Sequence, residues 1–297
     1  TPKPSSAASD VYKRQVIGDD TMALYDFAKG IILEAGNKVR HMMKDDLDIE
    51  MKSNPNDLVT NVDKATENYL YETIHHNYPE HRVIGEEGHG HNLKDTQGII
   101  WVIDPIDGTL NFVHQKENFA ISIGIYHDGK PYAGFVYDVM RDVLYHTKVG
   151  EGAFENSHQL KPLEDSELKT SIIGINPNWL TKPIMGKVFA PIVEDARSAR
   201  AYGSAALEII SVAKGQLAAY LTPRLQPWDF AGGLMILNEV GGVGSNLLGD
   251  RLEMNHPNSI LMANAKLHRE ILNNYLSEFE ETIAKHHEQR FGRKREK

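Results

Sequence analysis

Asp63, Glu86, Glu87, Asp104, Asp107 and Asp229 all fall where an apolar run stops or a helical pattern starts. The sharpest case is Ile99-Ile-Trp-Val-Ile103, a β-rich apolar run that finishes in Asp104, with Asp107 three residues on and Gly108-Thr109 after it. Such a run reads as a buried strand. Burying unpaired carboxylates costs several kcal/mol each, so the run makes sense only if positive charge sits at its end. A lone Asp at a helix start is usually a cap, and Glu86-Glu87 alone would be a solvated turn. As a set, and with two acids in one D-P-I-D turn that repel each other, they point to a cation. Oxygen donors with no cysteine select Mg²⁺, Mn²⁺ or Ca²⁺ over zinc. The segment Gly108–Asn111 opens a helix pattern, whose free N–H groups would face whatever the metal holds. Metal plus helix start suits a phosphate group.

The elements that must position these acids can be traced along the chain. Leu24, Phe27, Ile31, Ala35, Val39 and Met42 recur at helical spacing, with Met22 as the start. "DIEMKSNPNDLVT" gives two short strands around a turn, and Asp63 heads a second helix carrying Leu70, Ile74 and Tyr78. "RVIG" is a short strand before Glu86. "FAISIGIY", "YAGFVYDV" and "VLYHTKV", joined by tight turns, form an antiparallel meander. From about Thr170 strands and helices alternate: "SIIGI", helix "SAALEIISVAKG", strand "LAAYLT", helix "DFAGGLMILNEV", strands near "GVGSNLL" and "ILMAN". One last helix carries Leu267, Ile271, Tyr275, Phe279 and Ile283. The pattern is layered α/β (α+β).

Composition sets bounds. The 297 residues are 41% apolar, enough for one large domain or two packed halves. A net charge of -9 disfavours a nucleic-acid groove. The absence of cysteine excludes disulfides, thiolate metal sites and cysteine nucleophiles, and fits a reducing, cytoplasmic compartment. No apolar run suggests a membrane span. Residues 1–21 lack apolar periodicity and read as an expression remnant. Residues 285–297 read as a solvated basic tail, His286-His287 included.

"GEE" at Gly85–Glu87, "WVIDPIDGTLNF" at Trp101–Phe112 and "PWDFAGGLMILNEVGG" at Pro227–Gly242, with "DLVTNVD" ending at Asp63, resemble the inositol monophosphatase family. The resemblance runs from about Met22 to Ile283. It implies the layered α-β-α-β-α sandwich of the inositol monophosphatase / fructose-1,6-bisphosphatase type, a homodimer, and a lithium-sensitive, Mg²⁺-dependent phosphatase with two to three ions. It assigns Glu86, Asp104 and the Ile106 carbonyl to a first Mg²⁺, Asp104, Asp107 and Asp229 to a second, and a weaker third ion to Glu86 through waters. Thr109, paired with Asp63, would orient the attacking water. The N–H groups of Gly108 and Thr109 would hold phosphate, and Gly203, Ser204 and Ala205 would face the sugar.

One departure bears on substrate. Where animal inositol enzymes place a sugar-gripping acid, seven residues before Asp229, this chain has Thr222, with Arg224 nearby. The short "SNPND" turn implies an open pocket. The expectation is therefore a phosphomonoesterase of broad or dual specificity, acting on inositol monophosphate and a bulkier substrate such as NADP or fructose 1,6-bisphosphate. The alternatives are a phosphoadenosine-nucleotide phosphatase or a non-catalytic regulatory protein that keeps the fold. The halves are expected at 22–150, carrying most ligands, and 151–284, completing the site. "GGVGSNLLG" lacks the strand–loop–helix order of a dinucleotide loop, and "HGH" at His89–His91 reads as a mobile polar loop.

Overall fold

The structure is a computed structural model that describes residues 6–53, 57–90, 93 and 95–292, with side chains described from residue 23 onward. The start of the expected leader (1–5), the centre of the "SNPND" turn, His91 and the end of the basic tail lie outside the described residues. Helix α1 spans Ser6–Met42, so it begins well before the Met22 start that periodicity suggests. Leu24, Ile31, Ala35 and Val39 form its buried stripe. The short strands β1 (Ile49–Met51) and β2 (Leu58–Thr60) pair antiparallel and lead into helix α2 (Asn61–Asn77).

The first sheet is a near-continuous meander. Strands β3 (Arg82–Gly85) and β4 (Ile99–Asp107) are parallel neighbours. After the short helix α3 (Thr109–His114) come β5 (Ala120–His127), β6 (Lys130–Asp138), β7 (Val143–Lys148), β8 (Ala153–Glu155) and β9 (His158–Gln159), each antiparallel to the last. The sheet thus continues to Gln159, past the residue-150 boundary expected from sequence.

The second sheet has strand order β11-β10-β12-β14-β13. Its members are β10 (Ile172–Gly174), β11 (Ser198–Arg200), β12 (Ala219–Leu225), β13 (Gly242–Ser245) and β14 (Asn258–Asn264). Helix α4 (Met185–Asp195) separates β10 from β11. Helix α5 (Ala205–Ala213) precedes β12, and α6 (Pro227–Glu239) follows it. The expected single last helix is broken: α7 (Ala265–Ile271) passes through a π turn at Leu272–Leu276 and a 3-10 turn at Ser277–Phe279 before α8 (Glu280–Phe291).

Three apolar interfaces stack these layers. Helices α1 and α2 cover one face of the first sheet through Ile32, Leu70, Trp101, Phe135 and their neighbours. Helices α5 and α6 lie between the sheets, packed through Ile209, Ile210, Phe230, Ile236 and Met262. Helices α4, α7 and α8 cover the far face of the second sheet through Val188, Phe189, Leu261, Leu267 and Ile283. This is the expected α-β-α-β-α order. Among the described residues no helix is long and apolar enough to cross a membrane.

The C-terminal helices are tied down by two buried Ser–His pairs. His268 Nε2 lies 2.8 Å from Ser245 Oγ, and His287 Nε2 lies 2.7 Å from Ser259 Oγ. His287 is therefore part of the core, not of a solvated tail. Burial lowers both histidines to about 4. A depressed histidine pKa adds stability that is present above about 6.5 and lost as pH falls toward 4, of order a few kcal/mol per group. The expected result is that the wild-type melting temperature drops more steeply between pH 7 and pH 4 than that of His268→Gln/His287→Gln. Parallel pH profiles for the two proteins would remove these histidines from the acid response.

Candidate active site

The acids converge because of strand register. Gly85 of β3 sits opposite Ile103 of β4, so Glu86 and Asp104 leave the parallel pair side by side. The β4 strand does not stop at Asp104 but continues through Asp107. On a regular strand, residues three apart point to opposite faces. Here the register with β5 shifts: Asp104 faces Ser122 while Asp107 faces Ala120, which places one extra residue in β4. A bulge of this kind re-aims a side chain and brings both aspartates to one side.

Asp229 arrives from the other sheet. Strand β12 ends at Leu225, Gln226 caps α6, and Asp229 Oδ2 accepts the Gln226 N–H at 2.7 Å. Asp229 is thus the third residue of its helix, not its cap. Helix α6 lies almost directly on the first sheet. A Cβ at Gly232 would stand 2.6 Å from the Phe135 carbonyl oxygen and 2.8 Å from that of Ile123, so only glycine permits the approach. This close packing carries Asp229 to Asp104. Ligand oxygens of Asp104, Asp107 and Asp229 lie within 4.8 Å of one another.

The electrostatics are those of an uncompensated anionic cluster. Burial, then repulsion from Glu86, Asp107 and Asp229, holds the Asp104 carboxyl well above its ordinary range. Asp229 is raised likewise, by burial and then by Asp107 and Glu86. Burial lifts Asp107 to about 6, opposed by hydrogen bonds from Ser204 and the backbone of Ala206. Burial lifts Glu86 to about 7, opposed chiefly by Lys52. Lys52 Nζ lies 3.0 Å from Glu86 Oε1 and 2.5 Å from Glu87 Oε1. It is hydrogen-bonded to the two glutamates and to none of the three aspartates among the described residues. Buried, like-charged and all-oxygen, the cluster suits a hard divalent cation.

A second group stands beside it. Thr109 Oγ1 lies 3.1 Å from Asp63 Oδ1 and 3.1 Å from the Ile106 carbonyl. Asp63 is fully buried at the head of α2, where its other oxygen accepts the Thr60 N–H at 2.9 Å and the Thr60 hydroxyl. Gly108, at φ +95°, caps α3 in a left-handed conformation that favours glycine. With one Thr109 proton committed to Asp63 or Ile106, the hydroxyl lone pairs remain free to accept from water.

Of the expected sugar-facing residues, Gly203–Ala205 come to the cluster. Ser204 caps α5, its hydroxyl donates to Asp107 Oδ2, and the Ala206 N–H reaches the same oxygen at 2.8 Å. Thr222 is only 4% exposed, its hydroxyl 3.5 Å from the Arg224 carbonyl, and Arg224 is exposed. Among the described residues neither is hydrogen-bonded to the acid cluster.

Sequence reasoning missed two supports. Lys52 is one; Glu67 is the other. Fully buried on α2, Glu67 accepts from the Glu87 N–H at 2.6 Å and contacts His89 Nδ1 at 2.6 Å. His89 also stacks on Tyr71, with ring centroids 4.1 Å apart. The expected mobile polar loop is therefore pinned at His89, and the turn carrying Glu86 is held from behind.

Comparison with known proteins places this geometry. The family described as the inositol monophosphatase family matches residues 20–284. An inositol-1-monophosphatase of Bacillus subtilis (strain 168) is 46% identical over 253 residues, covering 84% of this chain and 96% of the relative. The crystal structure of inositol monophosphatase-II from Staphylococcus aureus MSSA476 aligns with a TM-score of 0.86 at 65% identity, covering 91% of this chain and 100% of that one. A structure described as 2′AMP-bound SaIMPase-II aligns with a TM-score of 0.85 at 64% identity, covering 90% and 100%.

Proposed function

This chain belongs to the inositol monophosphatase family, and from that premise we infer how its own residues divide the work. It is a Mg²⁺-dependent phosphoric monoester hydrolase acting on inositol monophosphate. The observation that carries the assignment of roles is the convergence of the Asp104, Asp107 and Asp229 oxygens within 4.8 Å, next to the Thr109–Asp63 pair.

Glu86, Asp104 and the Ile106 carbonyl would hold one Mg²⁺, Asp104, Asp107 and Asp229 a second, and Glu86 would support a weaker third. Bound Mg²⁺ supplies Lewis-acid stabilisation of developing phosphoryl charge and makes water a better nucleophile at neutral pH. Asp63 fixes the Thr109 hydroxyl, and Thr109 in turn accepts a proton-bearing edge of the attacking water and aims it. The backbone N–H groups of Gly108 and Thr109 receive phosphate oxygens. Gly203–Ala205 flank the leaving alcohol. No covalent nucleophile is needed. We further propose lithium inhibition and a homodimer working in a reducing cytoplasm, supported by family membership and the cysteine-free chain.

One substitution tests these roles directly. Thr109→Val keeps the shape but removes the hydroxyl. Positioned proton-transfer groups contribute about 10²–10⁴-fold, so kcat should fall by about a hundredfold or more with KM little changed. A kcat within about threefold of wild type would separate Thr109 from water positioning.

Breadth of substrate is the finer proposal. A carboxylate that could grip two hydroxyls is absent at Thr222, and a lost charged hydrogen bond costs about ten- to hundredfold in affinity. Bulkier substrates, NADP and fructose 1,6-bisphosphate among them, should therefore turn over within about a thousandfold of inositol 1-phosphate by kcat/KM. Exposed Arg224 suits a second phosphate, which guanidinium binds in two-pronged fashion. Arg224→Ala should then weaken the doubly phosphorylated substrates more than inositol 1-phosphate. Equal losses on all substrates would remove Arg224 from specificity.

A further inference from the structure

Helix α5 reads Ala-Ala-Leu-Glu-Ile-Ile-Ser-Val-Ala, and Glu208 is its one charged residue. Glu208 is 3% exposed, and its Oε2 has no hydrogen-bond partner among the described residues. A Cβ at Gly174 would stand 2.4 Å from that oxygen, so the carboxylate is packed tightly against β10. Burial lifts the carboxyl to about 7. A half-satisfied carboxylate buried in an otherwise apolar helix is destabilising. Capping of α5 does not require it, because Ser204 already receives the Leu207 N–H at 3.3 Å.

What Glu208 holds is the turn between β11 and α5. Its Oε1 accepts the Tyr202 N–H at 2.8 Å and the Gly203 N–H at 3.3 Å. On the opposite edge, Asn111 Nδ2 of α3 donates to the Tyr202 carbonyl at 2.6 Å and to the Asn118 carbonyl at 2.8 Å. The next residue after this doubly gripped stretch is Ser204, whose hydroxyl donates to Asp107 Oδ2. The turn also lies against Gly108, where a Cβ would stand 3.1 Å from Ser204 Cβ and 3.2 Å from the Gly203 carbonyl oxygen. One buried side chain from each half of the fold therefore fixes the residue that bonds Asp107.

We propose that Glu208 is a positioning residue for Mg²⁺ binding: through the Tyr202–Gly203 backbone it aims the Ser204 hydroxyl at Asp107, and Asn111 does the same from the other edge of the turn. The inference rests on the phosphatase reading above, in which Asp107 is a metal ligand. Ligating carboxylates are oriented by hydrogen bonds, and losing such a partner typically costs about 10- to 100-fold in metal affinity or activity. Asp107 Oδ2 has two donors, the Ser204 hydroxyl and the Ala206 N–H. The N–H is fixed by α5 itself, whereas the hydroxyl depends on where the turn places Ser204. The role asks Glu208 for an acceptor oxygen and not for a charge, so an amide oxygen can fill it.

The test is Mg²⁺ binding to chelator-stripped protein, read by calorimetry, beside the Mg²⁺ concentration that gives half-maximal phosphate release from inositol 1-phosphate. Glu208→Leu nearly keeps the volume and removes the acceptor, and should raise both values by at least about tenfold. Glu208→Gln keeps the acceptor oxygen and should stay within about threefold of wild type. Ser204→Ala should lose as much as Glu208→Leu, and combining the two should cost no more than about a further threefold, because they act through one bond. Should Glu208→Leu fail to fold, Asn111→Ala supplies the same comparison with and without Ser204→Ala. Wild-type Mg²⁺ affinity in Glu208→Leu or in Ser204→Ala, with only the melting temperature lowered, overturns the proposal. So do losses that multiply in the double variant, or a Gln variant as weak as the Leu variant. A wild-type protein that binds no Mg²⁺ and releases no phosphate sinks the phosphatase reading itself.

Discussion

Asp107→Asn should lower kcat by at least about a thousandfold while leaving the protein folded. The substitution removes one negative charge from the cluster and almost no volume. Positive charge at the phosphoryl group stabilises the transition state by several kcal/mol, and each 1.36 kcal/mol is about tenfold in rate. A side chain that no longer carries charge would hold that cation poorly. The local structure should survive, because an asparagine oxygen can still accept the Ala206 N–H that Asp107 receives at 2.8 Å. Without Mg²⁺ the variant should melt no lower than wild type, since one of several mutually repelling acids is gone. The checks are kcat with saturating Mg²⁺ and the melting temperature without it. A kcat within about tenfold of wild type would mean that Asp107 serves only to bind the start of α5.

The acids were visible in the sequence because each sits at an element end, where chain punctuation is local. Their convergence was expected as a set needing a cation and from the family resemblance, but the backbone geometry that produces it was not legible. Reading β4 as ending at Asp104 followed from the apolar run, yet the strand passes through Pro105 and carries both aspartates. The bulge that turns them to one side depends on pairing with β5, a tertiary fact. Lys52 was missed for the same reason. Its partners Glu86 and Glu87 lie 34 and 35 residues away, and nothing in "EMKSNP" announces them. Glu67 looks like a solvated helix position until the loop it holds is folded over it.

Elements failed where one residue masked a period. Met185, Val188, Phe189 and Ile192 are buried at the spacing of a helix, but Pro191 within that stretch reads as a breaker. The last helix kept its apolar period through Ile283, and the π turn at Leu272–Leu276 shifts the register without leaving a compositional mark. The α6 motif was more legible than its reason. "DFAGG" predicts a helix, whereas the need for glycine appears only when the Phe135 and Ile123 carbonyls are found against Gly232.

Removal of Mg²⁺ should have the largest effect of all. Phosphate monoesters are among the slowest biological bonds to hydrolyse, with enzymatic accelerations of up to ~10²¹-fold. Among the described residues no side chain replaces the missing charge, since Lys52 bonds Glu86 and Glu87 and leaves the three aspartates unneutralised. The same repulsion means that Mg²⁺ should bind the folded state preferentially and raise its melting temperature as concentration increases. The most direct test is phosphate release from inositol 1-phosphate by chelator-stripped protein titrated with Mg²⁺, with melting temperature followed in the same samples. The account predicts no measurable turnover without metal, and activity that returns with Mg²⁺ in step with thermal stabilisation. Full turnover in the stripped protein with excess chelator, or stabilisation by Mg²⁺ with no phosphate released, would contradict it.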